Sequence, residues 1–161
     1  FPEGDNTITY KLKEAEKAYY KGEVPVGAVI VKDGKIISRG HNLKEIKKDT
    51  TKHAEIIAIE KASKKIDAWR LEDCDIYVTM EPCPMCMGAI INSRIRKIYY
   101  GVSDLKAGAC GSVIDLTKYK FNHIPEYEKN ILEDESKEIL QKFFKELREK
   151  KKKDRGVTNE N

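Results

Sequence analysis

The stretch CDIYVTMEPCPMCMGAIINSRIRKIYYGV, residues 74–102, decides the fold because its character changes twice. CDIYVTM (74–80) is rich in β-branched and aromatic residues and reads as a strand. Pro82 and Pro84 stop it and open a helix, MCMGAIINS, since proline is tolerated in a helix's first turn. RKIYYGV (96–102) is the next strand.

Upstream, residues 5–21 form a predicted amphipathic helix, with Ile8, Leu12, Ala15 and Tyr19 at three- to four-residue spacing and Gly22 as its stop. VPVGAVIVKDGKIISRG follows. Its two β-branched runs around Asp33-Gly34 predict a hairpin. Residues 41–51 are polar and read as irregular. A second helix is expected from Thr51, its N-cap, to about Ile66, with Ile56, Ile59 and Ala62 on its core face.

Downstream, the glycine-rich LKAGACG (105–111) leads to a short element near SVIDLTKY and a weak extended piece around Ile124–Tyr127. A long helix is then expected over about Leu132–Lys151. This order predicts a three-layer α/β/α sandwich with a central mixed five-stranded sheet. One domain is expected over 1–151, followed by a basic, disordered tail at 152–161.

Hydrophobic residues make up 40% of the 161 and charged residues 36%. No apolar run approaches the ~20 residues that a membrane-spanning helix needs. The stretch FPEGDNTITY lacks the basic and apolar regions of a signal peptide. Four cysteines are too few for a disulfide scaffold in a chain of this length. They predict a reducing, cytoplasmic setting, in which a C-x-x-C points to metal or redox chemistry. The net charge of +4 is concentrated in KELREKKKKDR (145–155). That segment is either a solvated, fraying helix end or a phosphate-contacting tail.

Cys83 and Cys86 lie three apart at a helix start, which puts both thiols on one side of the first turn. The free amides there favour thiolate. Alone, the pair is equally a redox dithiol or half of a structural zinc knuckle. His53 and Glu55, at i and i+2, can address one pocket only from the mouth of a helix. One histidine and two thiolates give zinc three ligands and leave a position for water, whereas structural sites are normally closed with four. Two thiolates balance the dication, and Glu55 can take the proton of an activated water without itself being a ligand.

H-A-E (53–55) with P-C-P-M-C (82–86) resembles the zinc-dependent cytidine/deoxycytidylate deaminase superfamily. VPVGAVIV (24–31), GHN (40–42), GAIINSRI (88–95), YGVSDLKAGACGS (100–112), FNH (121–123) and FFKELR (143–148) are similar to the bacterial tRNA adenosine deaminases within it. The resemblance runs from about Ile8 to Lys150 and implies a cytidine deaminase-like fold. It implies one zinc per subunit on His53, Cys83 and Cys86, with Glu55 as general acid/base. The implied reaction is hydrolytic: water adds to C6 of the wobble adenosine in a tRNA anticodon stem-loop, ammonia leaves and inosine remains. Asn42, Ala54, Val26 and Gly27 match substrate-pocket positions, with the backbone amides of Ala54 and Cys83 holding the reacting group. Asp104, Lys106, Asn122, His123 and Arg148 fall in segments near the RNA or a homodimer partner, as do Phe143 and Phe144, which read equally well as helix core. Lys52 departs from the family's usual small residue before the histidine.

Three other readings use the same residues. A deaminase of free guanine, or of another nucleobase or nucleoside, shares the zinc words. A non-catalytic, zinc-stabilised RNA-binding subunit would lack the glutamate that stands here as Glu55. A C-x-x-C oxidoreductase would need no metal at all.

Overall fold

A computed structural model describes residues 7–159. Five strands form one sheet in the order β2-β1-β3-β4-β5. They are β1 (Gly27–Lys32), β2 (Lys35–His41), β3 (Cys74–Met80), β4 (Lys97–Val102) and β5 (Glu126–Glu128). β1 runs antiparallel to β2 and β3, while β3, β4 and β5 are parallel, so the sheet is mixed. The helices are α1 (Thr7–Tyr20), α2 (Lys44–Lys47), α3 (Ala54–Ile66), α4 (Pro84–Asn92) and α5 (Glu133–Asn159), with a 3₁₀ turn at Leu116–Lys118.

Local chemistry accounts for the hairpin. Asp33 (φ 51°) and Gly34 (φ 75°) both adopt left-handed conformations. A two-residue turn needs this to follow the twist of its strands. One sheet face carries Ala28, Ile30, Ile76, Val78, Ile98 and Tyr100 in matched register. It packs on Ala54, Ala58 and Ala62 of α3 and Met87, Ile90 and Ile91 of α4 to form the main core. The other face meets α1 and α5. A Cβ on Gly27 would come within 2.1 Å of the Lys11 carbonyl, and one on Gly101 within 2.6 Å of the Ser136 hydroxyl.

That close approach shifts the buried stripe of α1. Lys11, Glu14, Ala15 and Ala18 face the sheet, whereas Leu12 and Tyr19 line the groove toward α5. On α3 the buried positions are Ala54, Glu55, Ile57, Ala58 and Ala62, not Ile56. The sheet-facing stripe of α3 is mostly alanine, and that of α1 combines Ala15 and Ala18 with the charged Lys11 and Glu14, residues that hydrophobic periodicity underweights. Ile8 belongs to the expected stripe, but its side chain lies outside the described residues.

Lys11 is fully buried and donates to the carbonyls of Ile131 (2.6 Å) and Val78 (3.4 Å). Burial lowers its amine from 10.5 to about 8. Between those values the unfolded chain holds the proton more tightly than the folded one, so this group makes stability rise with pH across that window. The rise totals about 3 kcal/mol. Urea unfolding at pH 8 and pH 10 should therefore show a gain in wild type that Lys11→Met lacks.

Two segments expected to be irregular are helical. Within residues 41–51, α2 forms because the buried Glu23 carboxylate accepts from the amides of Glu45 (3.0 Å) and Ile46 (2.8 Å). This caps α2 from some twenty residues upstream. At the other end α5 continues past Lys151 to Asn159, through most of the expected disordered tail. Glu, Lys and Arg are good helix formers, and the Glu146/Lys150 and Glu149/Lys153 spacings add support. Residues 1–6 and 160–161 lie outside the described residues.

Candidate metal centre and substrate cleft

β1 begins, and β2 and β3 end, at the same edge of the sheet, and two helices start there. α3 starts after His53, whose backbone is extended (φ −78°, ψ 155°), and α4 after Cys83 (φ −75°, ψ 173°). The His53 side chain makes no capping bond to α3, and the Cys83 sulfur is shared between His53 and Cys86. Both turn into the cleft between the helix N-termini. Thr51, the expected cap, instead donates its amide and hydroxyl to Asp49 Oδ1. With the helix starting two residues later, His53 stands before it and Glu55 inside its first turn. That offset lets an i, i+2 pair share one cavity.

His53 Nδ1 lies 3.6 Å from Cys83 Sγ and 3.5 Å from Cys86 Sγ. The three donor atoms all lie within 4.8 Å of one another. Tetrahedral zinc, with Zn–S near 2.3 Å and Zn–N near 2.05 Å, requires an N···S edge of about 3.6 Å. The donor set thus fits a metal in both element and spacing. A hydrogen bond from the Cys86 thiol, offset in part by burial and helped by His53, lowers Cys83 to about 4. Donating that bond, together with burial, pushes Cys86 strongly upward. The pair therefore holds a thiolate and one proton, and a dication can take that proton's place.

Glu55 is 4% exposed, and burial raises its carboxyl to about 7. A group with that value both takes and gives a proton near neutral pH. The cleft encloses about 200 Å³, scaled to one small heterocycle. His53, Ala54, Glu55 and Cys83 form its base; Val24, Val26, Asn42 and Lys44 form one wall. Met80, Glu81, Asp104 and Ala107 form the wall opposite. Gly40 sets the depth: a Cβ there would lie 2.4 Å from the Ala54 carbonyl, so α3 rests directly on β2.

The structure sorts the remaining expected residues. Asn42, Ala54, Val26 and Asp104 line the cavity. Gly27 does not; the side where its Cβ would stand faces α1. Lys106 and Arg148 border a separate groove with Lys137 and Phe144, on the outer side of the 104–107 loop. Asn122 is exposed, and His123 Nε2 bonds to the Ile95 carbonyl (2.6 Å); neither reaches the cavity. Phe143 packs edge-on against Tyr19 of α1, while Phe144 is 40% exposed. Lys52 pairs with Glu60 at 3.5 Å. Lys44, Glu81 and Ala107 were not singled out from sequence. The word EPCPMC contained Glu81, but its partners lie some twenty to thirty residues downstream.

A mixed sheet that brings two helix starts to one cleft, with a metal-compatible His-Cys-Cys set beside a buried glutamate, defines a deaminase. The family model of MafB19-like deaminases matches residues 4–148. The tRNA-specific adenosine deaminase of Bacillus subtilis (strain 168) is 48% identical over 142 residues, 88% of each chain. A solved structure from work on A-to-I editing by tRNA:A34 deaminases at the wobble position of transfer RNA superposes with a TM-score of 0.82. It is 41% identical, covering 84% of this chain and 99% of that one. The X-ray structure of guanine deaminase from Bacillus subtilis is 31% identical at a TM-score of 0.59, covering 74% of this chain and 87% of that one. The chain belongs to the tRNA-specific adenosine deaminase family.

Proposed function

We propose that this protein hydrolyses the wobble adenosine of a tRNA anticodon stem-loop to inosine, in the cytoplasm and as a homodimer with one zinc per subunit. The supporting observation is the placement of Glu55, buried beside a tetrahedrally spaced His53-Cys83-Cys86 set, in a chain 48% identical to a tRNA-specific adenosine deaminase.

His53, Cys83 and Cys86 hold the metal. Zinc bound there acidifies water enough to make it a nucleophile at neutral pH. Glu55 accepts a proton from the attacking water as oxygen bonds to C6. It returns that proton to ring N1, then moves the proton of the new C6 hydroxyl to the amine, so that the C6–N bond breaks, ammonia leaves and the C6 carbonyl of inosine remains. Ala54 and Cys83 line the base of the cavity, where the reacting atoms would sit, and Val26 lines its wall. Asn42 anchors the nucleotide. Its Oδ1 accepts from Lys44 N (3.2 Å) and its Nδ2 reaches the Val24 carbonyl (3.4 Å), so the side chain is pre-oriented. The target base must leave its stack to enter a cavity of this size, which suits an unstacked anticodon loop. Lys106 and Arg148 lie where they would attract phosphate, outside the cavity. Exposed apolar side chains at Val113, Tyr119, Phe121 and Ile124 support the dimer, which sedimentation velocity tests directly.

The deciding measurement is inosine formation on a synthetic anticodon stem-loop beside turnover of free guanine. Inosine with little or no xanthine is expected, and activity on guanine alone would overturn the reading. Asn42→Ala should raise KM for the stem-loop about tenfold, the size of one lost polar contact, with a smaller effect on kcat. Steady-state kinetics on the same substrate check this.

A further inference from the structure

We propose that Glu81 is a positioning residue whose buried carboxylate holds the 104–112 loop as the cavity wall facing Asn42, and so sets how tightly the substrate is gripped. This rests on the cavity being the substrate pocket proposed above.

Glu81 is 3% exposed, and among the described residues it makes no ion pair. Its four partners all come from one loop. Oε1 accepts from Asp104 N (3.1 Å) and the Ser112 hydroxyl, and Oε2 accepts from Cys110 N (3.0 Å) and Ser112 N (3.1 Å). Hydrogen bonds to a charged acceptor are stronger than neutral ones, and leaving such a group unpaired in the interior is costly. The loop is therefore wound around the carboxylate.

Gly108 is an independent sign of this. A Cβ there would lie 2.2 Å from Glu81 Oε2 and 2.6 Å from the Asp104 carbonyl, so the backbone passes directly over the carboxylate. The loop is also tied to the metal side, since Ala109 N donates to the Pro82 carbonyl (2.8 Å), one residue before Cys83. Asp104 and Ala107 are the loop residues that line the cavity. Asp104 is doubly constrained: Glu81 takes its amide, while its own carboxylate accepts from Lys106 N and Ala107 N (both 3.1 Å). Loss of Glu81 frees this wall without removing any group from the base of the cavity.

Glu81→Gln is the sharpest probe. Its amide oxygen can stay on Cys110 and Ser112, and its NH₂ can donate to the Ser112 hydroxyl. The NH₂ then points a donor at Asp104 N, so that bond is the one lost. Metal content is expected to match wild type. Hydrogen exchange of 104–112 should accelerate, and KM for the stem-loop should rise about tenfold, the size of one lost charged hydrogen bond. The kcat should change less than about threefold. Gly108→Ala leaves the Glu81 side chain chemically intact but sets a methyl 2.2 Å from its Oε2, forcing loop and carboxylate apart; it should give the same split, which covers the case in which Glu81→Gln does not fold. Unchanged exchange and unchanged KM in a folded variant overturn the proposal. So does a variant that loses metal and kcat at constant KM, because Glu81 would then serve the cysteines. If wild type fails to convert the stem-loop, the functional reading falls, and loop exchange alone decides whether Glu81 holds the wall.

Discussion

Glu55→Gln should abolish measurable inosine formation while leaving metal content and stem-loop binding intact. General acid–base catalysis contributes roughly 10²- to 10⁴-fold, and here one carboxylate serves both the attack and the departure of ammonia, so the upper end is expected. The substitution keeps the volume and removes only the exchangeable proton. It should not unfold the protein: Glu55 is buried in the first turn of α3, and burial already favours its neutral form. Single-turnover kinetics, metal analysis and a binding measurement on one preparation separate the outcomes. Retained activity would remove Glu55 from the chemistry. Loss of metal as well would make it a support for the centre and not a proton carrier.

Cys86→Ser should remove the metal, the activity and part of the stability together. The Cys86 side chain is fully buried, and its sulfur lies 3.5 Å from His53 Nδ1. A serine oxygen is shorter and harder than a thiolate and leaves two good ligands where three are needed. Metal that binds only the folded state stabilises it by about 4 kcal/mol at a thousandfold excess over Kd. For a domain of this size that corresponds to a Tm change of about 8–16 °C. Chelation of wild type should reproduce the drop, and added zinc should reverse it. The variant should respond to neither. A metal-free wild type that remains active would favour the dithiol reading of C-x-x-C over the metal centre.

The two strands and the helix of 74–102 were legible because residue type alone separates them, with prolines marking the joint. The observed β3 spans Cys74–Met80 and α4 spans Pro84–Asn92. The Asp33-Gly34 turn was legible for a similar reason: its backbone conformation is a property of two residues. The stripe of α1 was misjudged because Lys11 and Glu14 are buried there, against a glycine whose effect comes from another element.

The amino-acid sequence by itself determined the strands, the longer helices, the family and which residues are candidate metal donors, since each depends on residue identity at short spacing. Only the tertiary structure decided that His53 stands just before a helix whose first turn carries Glu55, placing both beside Cys83 and Cys86. It alone separated Asn42 and Asp104, inside the cavity, from Asn122 and His123, outside it. It also revealed Glu23 and Glu81, two buried carboxylates that hold segments bearing opposite walls. Their partners lie some twenty to thirty residues away, and no local pattern records which backbone amides a carboxylate will find once the chain has closed on itself.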